Sequence, residues 1–207
     1  MKKLCIVTML VLSLASCSSF GPKPKLLYDR SDLNTKVSKI IIFPTTDFNG
    51  KSSIGSKSID LSINAAWAGA FGSDKVIPAG IVIEKISNTI GNDFYKKLVG
   101  SLDKASGIEQ LSKNETIKKF AGEIIGKFGE FPFALAIVSG GEAEYNAGQV
   151  VHLHIGLFDA KNLTWRLITK IEVQKGAVGN WKVASQAMIS NSFDMIKKIN
   201  IASSASK

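Results

Sequence analysis

The chain reads as one α/β domain, a two-layer fold with a mixed β-sheet, three main helices and a late antiparallel meander. Three observations predict this. Ile40, Ile41 and Ile42 run together and are closed by Pro44, the pattern of a buried strand. Helical spacing of apolar residues follows over 84–104 and 115–128, and returns over 181–199. Between the second and third helices, residues 133–173 hold three strand-like runs joined by short turns. No internal repeat divides the chain, so residues 37–200 are taken as one domain, with an insertion at 45–83 and a tail at 201–207.

Taken in order, the first strand spans 37–44. In the first helix Ile86, Ile90, Phe94, Leu98 and Leu102 recur at i+4, and Gly107 closes it. Residues 108–111 suit a short strand. Asn114 has the chemistry of a helix cap, and Ile117, Phe120, Ile124, Ile125 and Phe128 form the apolar side of a helix ending at Gly129. The run 133–138 suits a central strand, continuing through Gly140 and Gly141 into Glu142, Ala143, Glu144 and Tyr145. After a turn at 146–149, Val151, Leu153, Ile155 and Leu157 alternate with His152, His154, Gly156 and Phe158. A second turn at 159–162 leads into a strand over 165–173. The last helix presents Ala184, Met188, Met195 and Ile199, with Phe193 and Ile196 beside them.

The N-terminus has a different character. Lys2 and Lys3 precede an apolar run from Leu4 to Leu14, too short to span a bilayer as a mature helix. Leu14-Ala15-Ser16-Cys17 follows and resembles a bacterial lipobox. The resemblance implies a signal peptide at 1–16, export, and lipidation of Cys17. Ser18 and Ser19 come next with no aspartate at the second mature position, which in enterobacteria-like systems implies sorting to the outer membrane. Residues 17–36, polar and carrying Pro22 and Pro24, read as a lipidated tether. At roughly 3.3 Å per residue it reaches about 60 Å when fully extended. The domain is therefore expected close to its membrane, most naturally on the periplasmic side.

Cysteine and charge narrow the chemistry. The two cysteines are Cys5, lost with the signal, and Cys17, so the mature chain has no thiol for a disulfide, a metal or nucleophilic catalysis. The formal charge of +9 is concentrated late in the sequence. Beyond residue 160 stand Lys161, Arg166, Lys170, Lys175, Lys182, Lys197, Lys198 and Lys207, against only Glu172 and Asp194. In an exported protein this bias suits an anionic polysaccharide or lipid as partner, with Lys182, Lys197 and Lys198 as contacts, and not nucleic acid. A solvated helix face has the same composition.

Three stretches carry a family resemblance. They are Ile40 to Pro44, Ala136 to Gly141 leading into Glu144 and Tyr145, and the hairpin from Val151 through Asp159 and Ala160 to Leu163, Thr164 and Trp165. Together they resemble the TolB-N-terminal-like domain of several exported lipoproteins, among them the curli-secretion lipoprotein, a ring-forming exopolysaccharide-secretion lipoprotein and the activators of penicillin-binding proteins. Asn162 stands near the family's turn glycine and accepts the same positive φ. The late turns are short, so a membrane barrel built from insertions there is not expected. The resemblance implies an accessory subunit of an envelope export or assembly system, a homo-oligomer or part of an envelope complex. The alternative is a regulatory module for a periplasmic peptidoglycan synthase.

The insertion at 45–83 fits this pattern least well. Ile59, Leu61, Ile63, Ala65, Trp67, Gly69 and Phe71 alternate as in a strand, while Ile59, Ile63, Ala66 and Ala70 equally suit a helix. Gly72 to Lys75 turns the chain into 76–83, where Pro78 argues against a central strand. Trp67 and Phe71 either cover the domain's own sheet or form a contact surface for a sister subunit, a partner or lipid.

No glycine-flanked serine, phosphate loop or independent histidine base appears, so no enzyme and no cofactor are expected. A metal site is a third possibility. His152 and His154 share a strand face at i and i+2, and Glu142 and Glu144 have the same spacing on the preceding strand. A three-residue turn would set Glu144 against His152 and Glu142 against His154.

Overall fold

The structure, a computed structural model, describes residues 21–29, 38–48, 50–51, 54–86, 98, 111 and 113–205. Cys17 and the signal segment lie outside the described residues, as do most of the helix expected over 84–104 and the strand expected over 108–111. The described elements are β1 (Lys25–Asp29), β2 (Ile40–Ile42), α1 (Ile54–Phe71), β3 (Val76–Ile77), α2 (Ala79–Ile86), α3 (Glu115–Phe128), β4 (Phe133–Val138), α4 (Glu142–Asn146), β5 (Val151–Asp159), β6 (Thr164–Val173) and α5 (Trp181–Ala205).

One mixed sheet runs β1-β6-β5-β4-β2-β3. β2 lies parallel to β3 and β4, and the pairs β4–β5, β5–β6 and β1–β6 are antiparallel. The α/β class, the mixed sheet and the late meander are as expected. Helices pack on both faces of the sheet. Chain direction accounts for this. The crossover from β2 to β3 moves outward to one edge, and the return from β3 to β4 passes back over β2. Right-handed crossovers in opposite directions place their helices on opposite faces.

One face packs Ile40, Ile42, Ala134, Ala136 and Val138 with Ile59, Ile63 and Trp67 of α1 and Met188, Phe193 and Ile196 of α5. The other packs Ile41, Phe43, Phe133, Leu135 and Ile137 with Val82 of α2 and Ile117, Phe120 and Ile124 of α3. β2 and β4 are buried on both faces, which is why they read as unbroken apolar runs.

The ambiguous 58–71 segment is a helix. Ile59, Ile63 and Trp67, spaced by four, are each at most 2% exposed, whereas Leu61, which a strand would place on their face, is 81% exposed. Two side chains of α1 fix neighbouring loops. Asp60 Oδ1 accepts from Thr45 N at 2.6 Å, and Asn64 Oδ1 accepts from Ala79 N at 3.0 Å, at the start of α2. Pro78 follows an edge strand of only two residues.

α3 starts as its sequence predicts. Asn114 Oδ1 accepts from Thr116 N at 3.1 Å and Ile117 N at 3.3 Å, and Gly129 at φ 95° closes the helix. Two expectations do not hold. Residues 142–146 form a short helix and not a strand: Glu144 Oε2 reaches back to Gly141 N at 2.8 Å, and Tyr145 is buried with its hydroxyl donating to Val178 O at 2.8 Å. In the β5–β6 turn the positive φ falls on Leu163 (52°) and not on Asn162. Asn162 instead donates to Asp159 through its backbone N and its Nδ2, both at 3.0 Å.

Candidate functional site

The stretch read as a tether contributes a strand. β1 sits at the outer edge of the sheet on β6, with Lys25 opposite Lys170, Leu26 opposite Thr169 and Tyr28 opposite Ile168. The register shifts between Leu26 and Tyr28, leaving Leu27 as a bulge. Just upstream, the Pro22 carbonyl accepts from Asn191 Nδ2 of α5 at 2.8 Å. The polypeptide is therefore part of the fold from its first described residues, and the tether expected at 17–36 is correspondingly shorter.

Beside β1, one sheet surface gathers polar groups from β5 and β6. Glu172 lies at the centre, 2.9 Å from Lys170 Nζ and 3.3 Å from His152 Nδ1. The Lys170 hydrogen bond holds the Glu172 carboxyl below the usual carboxylate range. Burial opposes that shift, while the charges of Lys170, His152 and Lys25 add to it. His154 is nearly buried and meets Phe48 edge-on at 5.4 Å.

This arrangement overturns the predicted quartet. β5 pairs with β4 through His154 opposite Ile137, and with β6 through His152 opposite Glu172 and His154 opposite Lys170. Glu142 and Glu144 lie on α4, outside the ladder, and Glu144 is held by the Gly141 amide. That contact keeps its carboxyl below the usual range. Among the described residues no three histidine, cysteine, aspartate or glutamate side chains come together as a metal requires. The partner that sequence reasoning missed was Glu172. Its signal was present, since Lys170 and Glu172 share a face at i and i+2, and the short 159–163 turn sets them beside the histidines.

Trp67 is fully buried, 5.5 Å from Phe71 and edge-on to Phe193 at 5.0 Å between ring centroids. Phe71 is half-buried against the same core. The pair covers the domain's own sheet, so Trp67 presents no contact surface. Helical spacing turns it inward with Ile59 and Ile63 and leaves Leu61 outside.

The late basic residues disperse. Lys161 pairs with Glu130 at 2.8 Å, Lys170 pairs with Glu172, and Lys175 donates to Asn146 O at 3.0 Å. Lys182 is exposed in the first turn of α5, and Lys197 and Lys198 are exposed towards its other end. Roughly fifteen residues at 1.5 Å each separate them, about 22 Å. They do not form one patch.

No family model and no curated protein matches the chain. Among solved structures it is similar to the PelC dodecamer from Paraburkholderia phytofirmans, with TM-score 0.48 and 7% identity over 86% of this chain and 96% of that one. A point variant of that dodecamer gives TM-score 0.47 and 8% identity over 86% and 97%. Lipoprotein GNA1162 from Neisseria meningitidis gives TM-score 0.41 and 16% identity over 67% and 81%. Likenesses at this level are too slight to carry a family, an assembly or a function across to this chain.

Proposed function

We propose that this chain is a non-catalytic outer-membrane lipoprotein, anchored through a lipid on Cys17 and facing the periplasm. On this reading it serves as an accessory, self-associating subunit of an envelope export or assembly system. The observation that carries the proposal is the shortness of the link between the lipobox and the fold. Pro22 is already bonded to α5, and only four residues separate it from Cys17. Fully extended, that link spans about 17 Å. A domain held so tightly works at the surface of its own membrane, which disfavours a regulator that reaches across the periplasm to a peptidoglycan synthase.

Self-association draws its support from α1. Leu61 is 81% exposed, beside exposed Ala65 and Gly69, and a Cβ at Gly69 would meet nothing within 4 Å. A leucine standing over a flat small-residue surface suits a close subunit contact.

Two measurements test the proposal. Mass spectrometry of the mature N-terminus, with membrane fractionation of the wild type and Cys17→Ser, tests the anchor: acylation and outer-membrane recovery are expected, both lost in the variant. The solution mass of the detergent-solubilised chain, with Leu61→Glu beside it, tests the assembly. A defined oligomer that the glutamate dissociates is expected. A wild-type monomer would remove the self-association reading and leave the anchor standing.

A further inference from the structure

The chain enters the fold at one corner, and that corner is unusually apolar for an edge. Pro22 is tied to Asn191, and a Cβ on Gly21 would lie 3.4 Å from the same side chain. Exposed Lys23 and Lys25 follow, then Leu26 and Leu27, each 43% exposed on the outermost strand. Two adjacent exposed leucines on an edge strand invite association unless something covers them.

Two features of the corner select what covers it. The bulge at Leu27 interrupts the regular row of donors and acceptors that another strand would pair with. Lysines beside apolar side chains are instead the composition of a surface that rests in an anionic head-group layer.

We infer that the Lys23–Leu27 corner docks on the bilayer that holds the Cys17 lipid, with Leu26 and Leu27 entering the head-group layer and Lys23 and Lys25 contacting anionic head groups. The inference rests on the proposed lipidation of Cys17, because the four-residue link to Pro22 keeps the corner near the bilayer. Docking is then intramolecular, so contacts too weak to hold a free protein suffice to orient an anchored one.

The test uses the full lipidated chain in vesicles of phosphatidylglycerol and phosphatidylcholine containing a nitroxide-labelled lipid as quencher. A fluorophore is placed through Leu27→Cys, and in a separate chain through Ser73→Cys. Ser73 lies beside β3 at the opposite edge of the sheet, five strand spacings or roughly 24 Å away. Quenching at position 27 is expected to exceed that at 73 several-fold. In Leu27→Cys chains that also carry Lys23→Glu and Lys25→Glu, it should fall to the level at 73 while the protein stays membrane-bound.

Equal quenching at the two positions, with Cys17 shown by mass spectrometry to be acylated, would overturn the docking surface alone. An unmodified Cys17 would overturn the anchor and the docking surface together. Shielding of the position-27 label that rises with protein concentration and ignores the quencher lipid would assign the corner to a second copy and overturn the inference.

Discussion

Asn191, midway along α5, donates its Nδ2–H to the carbonyl of Pro22 at 2.8 Å, joining residues 169 positions apart. With the β1–β6 ladder, this contact makes residues 21–29 part of the folded domain. Asn191→Ala removes one partly buried hydrogen bond, worth about 1 kcal/mol. A fall in Tm of about 2–4 °C is expected for a domain of this size. Amide exchange should quicken in Lys25–Asp29 more than in β4. Unchanged protection of β1 would mean that the ladder alone holds the strand.

Trp67 and Leu61, six residues apart on α1, should answer substitution in opposite ways. Trp67→Ala leaves a large cavity under α5 and should cost about 3–5 kcal/mol in denaturant unfolding. Trp67→Phe should cost much less, because the indole Nε1 has no acceptor among the described residues. Leu61→Glu should stay within about 0.5 kcal/mol of wild type when the chain is monomeric. A large destabilisation by Leu61→Glu at low protein concentration would place that leucine in the core, contrary to its exposure.

The cap of α3 provides a local test. Asn114→Ala loses two amide contacts and should destabilise the domain by about 1 kcal/mol, while Asn114→Ser recovers most of that loss. Equal losses in the two variants, measured by thermal unfolding, would show that the cap oxygen contributes nothing.

Glu172 provides a pH dependence. Its folded pKa lies below the ordinary glutamate value, chiefly through the Lys170 hydrogen bond. Its contribution is therefore present above the unfolded pKa and is lost as pH falls through the depressed folded value. The group is 40% exposed, so the effect is small and screened by salt. Carboxyl NMR titration of Lys170→Met should move the Glu172 midpoint upward, towards the usual value. An unmoved midpoint would show that Lys170 is not the main cause.

Where structure is decided by neighbours in the chain, the sequence was a sound guide. Asn114 and Gly129 bound α3 because capping is a contact over two to four residues. The isoleucines of β2 and the run Phe133–Val138 declared their burial because both sheet faces are covered there. The alternation of β5 and β6 marked the hairpin. Short segments were less legible. Glu142 to Tyr145 fits one helical turn as well as two strand repeats, and Tyr145 reaching Val178 favours the helix.

The sequence by itself thus determined the α/β class, the meander and the bounds of α3, β4, β5 and β6, and it set the lipobox resemblance apart from the domain. Those features depend on local spacing and composition. The tertiary structure decided which surfaces exist: Trp67 faces inward, Glu172 replaces Glu142 and Glu144 beside the histidines, and the expected tether contributes an edge strand. Each is a contact between segments far apart in the chain. Its outcome rests on crossover direction and strand register, which no local pattern of residues encodes.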